Sequence, residues 1–143
     1  RLELVRTVSG VSYYNDSIAT TPDRAIAAIN AFNRPVVLIS GGRDKRLPLD
    51  PLAKAIRQRC KAVVLYGEGG ELLQEALAKR TAHGEDRLIQ RRAHAFERAV
   101  ETAASIAKAG DVVLLAPGFT SFDQFSSYEE RGVRFKELVK GLR

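Results

Sequence analysis

The tripeptide Val-Val-Leu occurs three times, beginning at Val36, Val63 and Val112. Each copy sits in a short β-branched run bounded by turn residues. Pro35–Ser40 ends in Gly41-Gly42, Ala62–Tyr66 ends in Gly67, and Asp111–Ala116 runs into a turn at Pro117-Gly118. A run of this length without polar alternation reads as a strand covered on both faces. The three copies start 27 and 49 residues apart. The first interval holds one helix. The second has room for two, with a weak strand at Arg87–Arg91 between them. Strands alternating with helices imply parallel pairing and right-handed crossovers. The chain is therefore expected to be an α/β domain with a Rossmann-like, doubly wound, mostly parallel sheet.

The N-terminal stretch adds an edge to that sheet. Arg1–Arg6 alternates Leu2 and Leu4 with Glu3 and Arg6, Ser9-Gly10 is a turn signal, and Val11–Asn15 follows. Two short strands around a tight turn make a hairpin, and hence an antiparallel edge. Thr20-Thr21-Pro22-Asp23 then opens a helix, with Thr21 suited to the N-cap, Pro22 to the first turn and Asp23 to the positive end of the dipole. Further helices are expected from Pro48 or Leu49 to Gln58, over Glu68–Arg80, over Ala93–Ala109 up to Gly110, and from near Ser126 or Ser127 to the C-terminus.

The 143 residues, 45% of them hydrophobic and 28% charged, suit one globular domain spanning residues 1–143 with a real core. The net charge of +6 is scattered: Arg57, Arg59, Lys61, Arg87, Arg91 and Arg92 lie among acids. No basic run carries interleaved aromatics, and no RNP or helix-turn-helix pattern occurs, so a solubilising surface is favoured over nucleic-acid binding. The excess is still able to steer an anionic substrate. Cys60 is the single cysteine, which excludes an internal disulfide and fits a reducing compartment. It stands beside an apolar run and reads as packing. No apolar stretch approaches the roughly 20 residues that span a membrane. The chain opens on Arg1 and contains no methionine, so it is expected to be a piece of a longer polypeptide.

Ligands in an open α/β sheet bind outside the C-terminal ends of the parallel strands. The loops there are Asp16–Thr21, Gly41–Lys45, Gly67–Gly70 and Pro117–Ser121. Gly41-Gly42-Arg43-Asp44-Lys45 offers close backbone approach and a point charge. Taken alone it reads as a glycine turn with a solvated lysine. Asp16 and Thr20 add short polar groups, part of which capping explains. Ser121 has two readings. Ser121-x-x-Gln124, like Ser127-x-x-Glu130, resembles a capping box. Alternatively its hydroxyl and nearby N–H groups hold a carboxylate. Phe122, Phe125 and Phe135 read as core or loop packing, and Tyr128 as a pocket wall. His83 and His94 stand in charged, surface-like surroundings. No P-loop, Gly-x-Gly-x-x-Gly, catalytic triad or metal-ligand spacing is present. The residues by themselves point to an anion-accepting rim without complete catalytic machinery.

Taken together, three motifs resemble the C-terminal domain of the Mur ligase family, and most closely its glutamate-adding branch. They are Tyr14-Asn15-Asp16-Ser17-Ile18-Ala19-Thr20-Thr21-Pro22, Gly41-Gly42-Arg43-Asp44-Lys45, and Leu115–Gln124 followed by Phe125 and Glu129-Glu130-Arg131-Gly132. The resemblance implies an ATP-dependent amide ligase of cytoplasmic peptidoglycan synthesis, acting as a monomer and joining D-glutamate to UDP-N-acetylmuramoyl-L-alanine through an acyl phosphate. It implies that this domain binds glutamate and closes over ATP. Mg2+ and most of the nucleotide belong to a central domain, and the UDP-sugar to an N-terminal one, both outside this chain, so the isolated domain is expected to be inactive. It further implies that Lys45 and Thr20 hold the α-carboxylate of glutamate. Ser121, with backbone near Phe122 and Tyr128, holds the side-chain carboxylate. Asp16 contacts the ATP ribose, and Arg1 the nucleotide. Two departures stand out. Ile18 occupies a position that is often lysine in the family, and Gly118-Phe119-Thr120 changes the middle of the last motif. The alternative function is a non-catalytic Rossmann-like module that captures an acidic metabolite or a partner protein. Nucleic-acid binding rests on the charge alone.

Overall fold

The computed structural model describes residues 2–79 and 87–143. Six strands form one sheet: β1 (Glu3–Val8), β2 (Val11–Asn15), β3 (Val36–Gly41), β4 (Cys60–Tyr66), β5 (Ile89–Ala93) and β6 (Val112–Gly118). Five helices accompany them: α1 (Pro22–Ile29), α2 (Asp50–Arg59), α3 (Gly67–Lys79), α4 (Phe96–Ile106) and α5 (Tyr128–Lys140). The strand order is β1-β2-β6-β3-β4-β5, antiparallel at β1–β2 and parallel elsewhere. This is the expected mostly parallel α/β sheet with a hairpin edge. The hairpin turn uses positive φ at Ser9 (51°) and Gly10 (81°), which suits the twist of the flanking strands.

All three Val-Val-Leu runs are central strands, and β3 and β6 are buried at every residue. Alternate residues face opposite layers. Val36, Leu38, Val63, Leu65, Val112 and Leu114 pack under α1, α2 and α3. Val37, Ile39, Val64, Val113 and Leu115 pack under α4 and α5, with Phe96 and Phe135. The handedness of the crossovers accounts for this split. α1, α2 and α3 each carry the chain in one direction across the sheet, so right-handed connections place them on one face. α4 carries it back from the β5 edge to β6, which requires the other face.

Several boundaries differ from the sequence expectation. The weak strand lies at Ile89–Ala93, two residues beyond Arg87–Arg91, and pairs with β4 from Ala62↔Ile89 to Tyr66↔Ala93. It consumes the start of the expected Ala93–Ala109 helix, and α4 ends where Ala107 turns extended. Pro117-Gly118 still belongs to β6, and Gly118 pairs with Gly41. Gly67–Gly70 is the first turn of α3 and not a free loop. A Cβ on Gly69 would lie 2.6 Å from the Phe119 ring, so glycine there lets that ring sit flat on the helix. Cys60 is half-buried and packs against the core, as expected. Phe125 and Phe135 pack in the core, but Phe122 is 60% exposed and belongs to neither core cluster. His94 is exposed. Arg1 and His83 lie outside the described residues.

Candidate functional site

The C-terminal ends of β2, β3 and β6 lie side by side, and their loops are tied to one another by backbone hydrogen bonds. The loop after β2 joins β6 through Asp16 N donating to Leu115 O (2.8 Å) and Gly118 N to Ala19 O (2.8 Å). The loops after β3 and β6 join through an isolated antiparallel bridge between Arg43 and Thr120. The first loop is also anchored from α3, where Gly69 N donates to Gly42 O (2.7 Å) and Glu68 Oε1 accepts from Asp44 N (3.1 Å). One N–H of the first turn of α3 is thus used by the Gly41–Lys45 loop.

These ties set where the expected site residues stand. Thr20 follows Ala19 at the end of β6 and is partly buried. Thr21 caps α1 by accepting from Arg24 N (3.4 Å), with Pro22 next to it, as the sequence indicates. Lys45 lies two residues past the Arg43–Thr120 bridge and is exposed. Ser121 lies on the other side of that bridge and is 2% exposed. The Ser121-x-x-Gln124 signal makes a turn, with Ser121 O accepting from Gln124 N and Phe125 N, and no helix follows directly. The Gln124 side chain instead accepts from Phe96 N (3.0 Å) and so caps α4 from another element. Tyr128, with Ser17 and Ile18, lines a surface cleft of about 290 Å³. Asp16 and Ile18 line a neighbouring cleft of about 310 Å³ with Arg24. Lys45 and Ser121 line neither of these two clefts.

Arg131 carried no role in the sequence reading, yet it is fully buried beneath these loops. Its Nε donates to Ser17 Oγ (2.9 Å), and its Nη2 donates to Ser17 O (2.8 Å) and Phe119 O (3.2 Å). Ser17 Oγ in turn donates to Tyr128 O (2.7 Å) at the start of α5. Tyr66 lies beside the guanidinium and the two groups act on each other's charge, while neither Tyr66 Oη nor Arg131 Nη1 has a partner of full hydrogen-bond geometry among the described residues. Asp123 contributes a further buried oxygen without a partner, Oδ2, and its charge acts on both groups. Burial pushes the Tyr66 hydroxyl up to about 12. Burial also raises the Asp123 carboxyl above its ordinary value and lowers that of Arg131. One sequence signal pointed here. Gly132 stands inside α5, and a Cβ there would come within 3.0 Å of Asn15 Nδ2; a glycine inside a helix marks close approach of a neighbour.

Among the described residues no group of three or more His, Cys, Asp or Glu converges on a point where a metal ion would bind. No helix among them is long and apolar enough to cross a membrane. The arrangement offers separated donors for anionic groups along one edge.

The family profile described as Mur ligase, glutamate ligase domain matches residues 1–119. Among curated proteins, the UDP-N-acetylmuramoylalanine--D-glutamate ligase of Acetivibrio thermocellus is 43% identical over 99% of this chain, and that of Clostridium perfringens 41% identical over 99%. In each case the chain spans 31% of the relative's length. Among solved structures, a murein peptide ligase from Psychrobacter arcticus superimposes with a TM-score of 0.67 at 15% identity, over 99% of this chain and 30% of that one. A folylpolyglutamate synthase of Mycobacterium tuberculosis, complexed with ADP and AMPPCP, gives 0.61 at 21% identity, over 94% and 31%. These two structural likenesses concern the fold.

Proposed function

The chain belongs to the Mur ligase family, in its glutamate ligase domain, and on that premise we propose that it is the amino-acid-binding part of an ATP-dependent ligase joining D-glutamate to UDP-N-acetylmuramoyl-L-alanine. The observation that carries this reading is the Arg43–Thr120 bridge. It holds two loops of different chemistry, one with an exposed lysine and one with a buried serine, at the same edge of the sheet. A dicarboxylic amino acid needs two separated sets of donors.

In this reading Lys45 and Thr20 hold the α-carboxylate. Lys45 supplies a mobile charge and Thr20 a hydroxyl at the end of β6. Ser121 holds the side-chain carboxylate, with backbone near Phe122 and with Tyr128. Asp16 meets the ATP ribose from the cleft it shares with Ile18 and Arg24, and Arg1 meets the nucleotide. Asp16 belongs to no group of three or more His, Cys, Asp or Glu among the described residues, which suits a ribose better than a metal ion, so Mg2+ is assigned to the remainder of the longer protein. The UDP-sugar is assigned there too. ATP supplies activation of the sugar-peptide carboxylate as an acyl phosphate. The glutamate amine, oriented by this chain, forms the amide as phosphate leaves. The working unit proposed is a cytoplasmic monomer whose C-terminal domain closes over the nucleotide, and the domain alone orients substrate without catalysing.

The test uses the full-length protein. Phosphate release is expected only when ATP, UDP-N-acetylmuramoyl-L-alanine and glutamate are all supplied. Lys45→Ala is expected to raise KM for glutamate about tenfold or more, as loss of a charge-assisted contact does, while the melting temperature holds because Lys45 is exposed. Unchanged glutamate KM in that variant would refute the assignment.

A further inference from the structure

We propose that Arg131 is a positioning residue that holds the ligand-bearing loops after β2, β3 and β6 in a single register. The proposal rests on the function proposed above. Two of the loops accept from the guanidinium through their backbone, Ser17 O after β2 and Phe119 O after β6, and Gly42 of the loop after β3 stands next to it. Gly42 makes no hydrogen bond to it, but leaves no room between them for a larger residue, since a Cβ on Gly42 would lie 3.3 Å from Arg131 Nη1. A further tie runs from Nε through Ser17 Oγ to Tyr128 O. Asp16 adjoins Ser17, Ser121 is two residues beyond Phe119, Lys45 is three beyond Gly42, and Tyr128 lies one turn ahead of Arg131 on α5. The guanidinium thus binds the backbone next to Asp16 and Ser121, is tied through Ser17 to Tyr128, and stands beside the loop that carries Lys45.

The chemistry favours positioning over simple core filling. Burying a guanidinium is costly unless its donors are met. A well-packed apolar side chain of similar volume often serves stability as well or better. Only a planar fork reaches two carbonyls and a hydroxyl at fixed angles, which a lysine ammonium on one stem does not reproduce. The unpartnered Oδ2 of Asp123 and the Tyr66 ring complete the surroundings. Asp123 follows Ser121 by two residues, so its attraction to the guanidinium pulls the same loop inward.

Steady-state kinetics on the full-length enzyme test this, comparing Arg131→Lys with Ser17→Ala, which removes one acceptor and keeps the charge. Positioning predicts that Arg131→Lys raises KM for D-glutamate and for ATP together, each about tenfold or more. KM for UDP-N-acetylmuramoyl-L-alanine stays unchanged, and Ser17→Ala shows the same split in milder form. A folded Arg131→Lys enzyme with all three KM values unaltered, or with all three raised alike, overturns the proposal. Where Arg131→Lys does not fold, Ser17→Ala decides by the same criterion. Lys45→Ala is run in parallel. If it leaves glutamate KM unchanged, the glutamate reading itself has failed; if it raises KM while the Arg131 and Ser17 variants do not, the positioning role alone has failed.

Discussion

Arg43 and Thr120 exchange backbone hydrogen bonds of 3.0 and 3.2 Å, and Thr120 Oγ1 adds a third to Arg43 O at 3.3 Å. These residues lie 77 apart in the chain, yet they fasten two strand-end loops into one ledge. Such a bridge needs the preceding backbone to approach closely, and Gly42 provides that. Its φ is 129°, and a Cβ there would collide with the Thr120 carbonyl oxygen.

Gly42→Ala is therefore expected to break the bridge. Backbone strain of this kind costs about 1–3 kcal/mol, and the collision adds to it. Gly110→Ala separates the two contributions, because Gly110 also has positive φ (97°) but open space around its Cβ position. In thermal melts Gly42→Ala should lose clearly more stability than Gly110→Ala, and in the full-length enzyme it alone should weaken glutamate binding. Equal losses of stability would show that strain, not the ledge, sets the requirement for glycine.

The central sheet was legible because a strand buried on both faces leaves an uninterrupted apolar run, as at Val36, Val63 and Val112. β5 was legible only through the length of the gap that contains it, since Ile89–Ala93 is an edge strand with Arg91 and Arg92 exposed. What escaped is of one kind. Gln124 caps α4, Gly67–Gly70 receives the Gly41–Lys45 loop, and Arg131 sits under the rim. In each case a residue of ordinary surface or turn character takes its meaning from an element distant in sequence, which periodicity does not encode. Phe122 fails in the opposite sense: an aromatic expected to pack points outward beside Ser121.

The thiol of Cys60 should be inert in the folded chain. Burial pushes it from an ordinary 9.0 up to about 12, with Arg59 opposing the shift. Only the thiolate attacks disulfide reagents, so three pH units correspond to roughly a thousandfold less reactive species at pH 8. Labelling with an aromatic disulfide reagent should be about a thousandfold slower in native buffer than in denaturant. Comparable rates would place the sulfur at the surface.

The start of α5 should carry a pH-dependent share of stability. Ser127 Oγ accepts from Glu130 N (3.1 Å), and Glu130 Oε1 accepts from Ser126 N (2.6 Å) and Ser126 Oγ (3.0 Å). The expected capping box is thus present with its carboxylate reaching one residue further back. Those two bonds to Ser126 hold the Glu130 carboxyl below its ordinary value of 4.5. A depressed folded-state value means that the native chain favours the ionised form. The contribution is therefore complete above the unfolded-state value and disappears as pH falls through the folded one. Glu130→Gln should melt below the wild type at neutral pH, and the difference should close on acidification. Ser127→Ala removes a hydroxyl that does not titrate, and should cost about 1 kcal/mol at every pH where the domain folds. A Glu130→Gln deficit that persists unchanged into acid would mean that the side chain acts through packing, not through its charge.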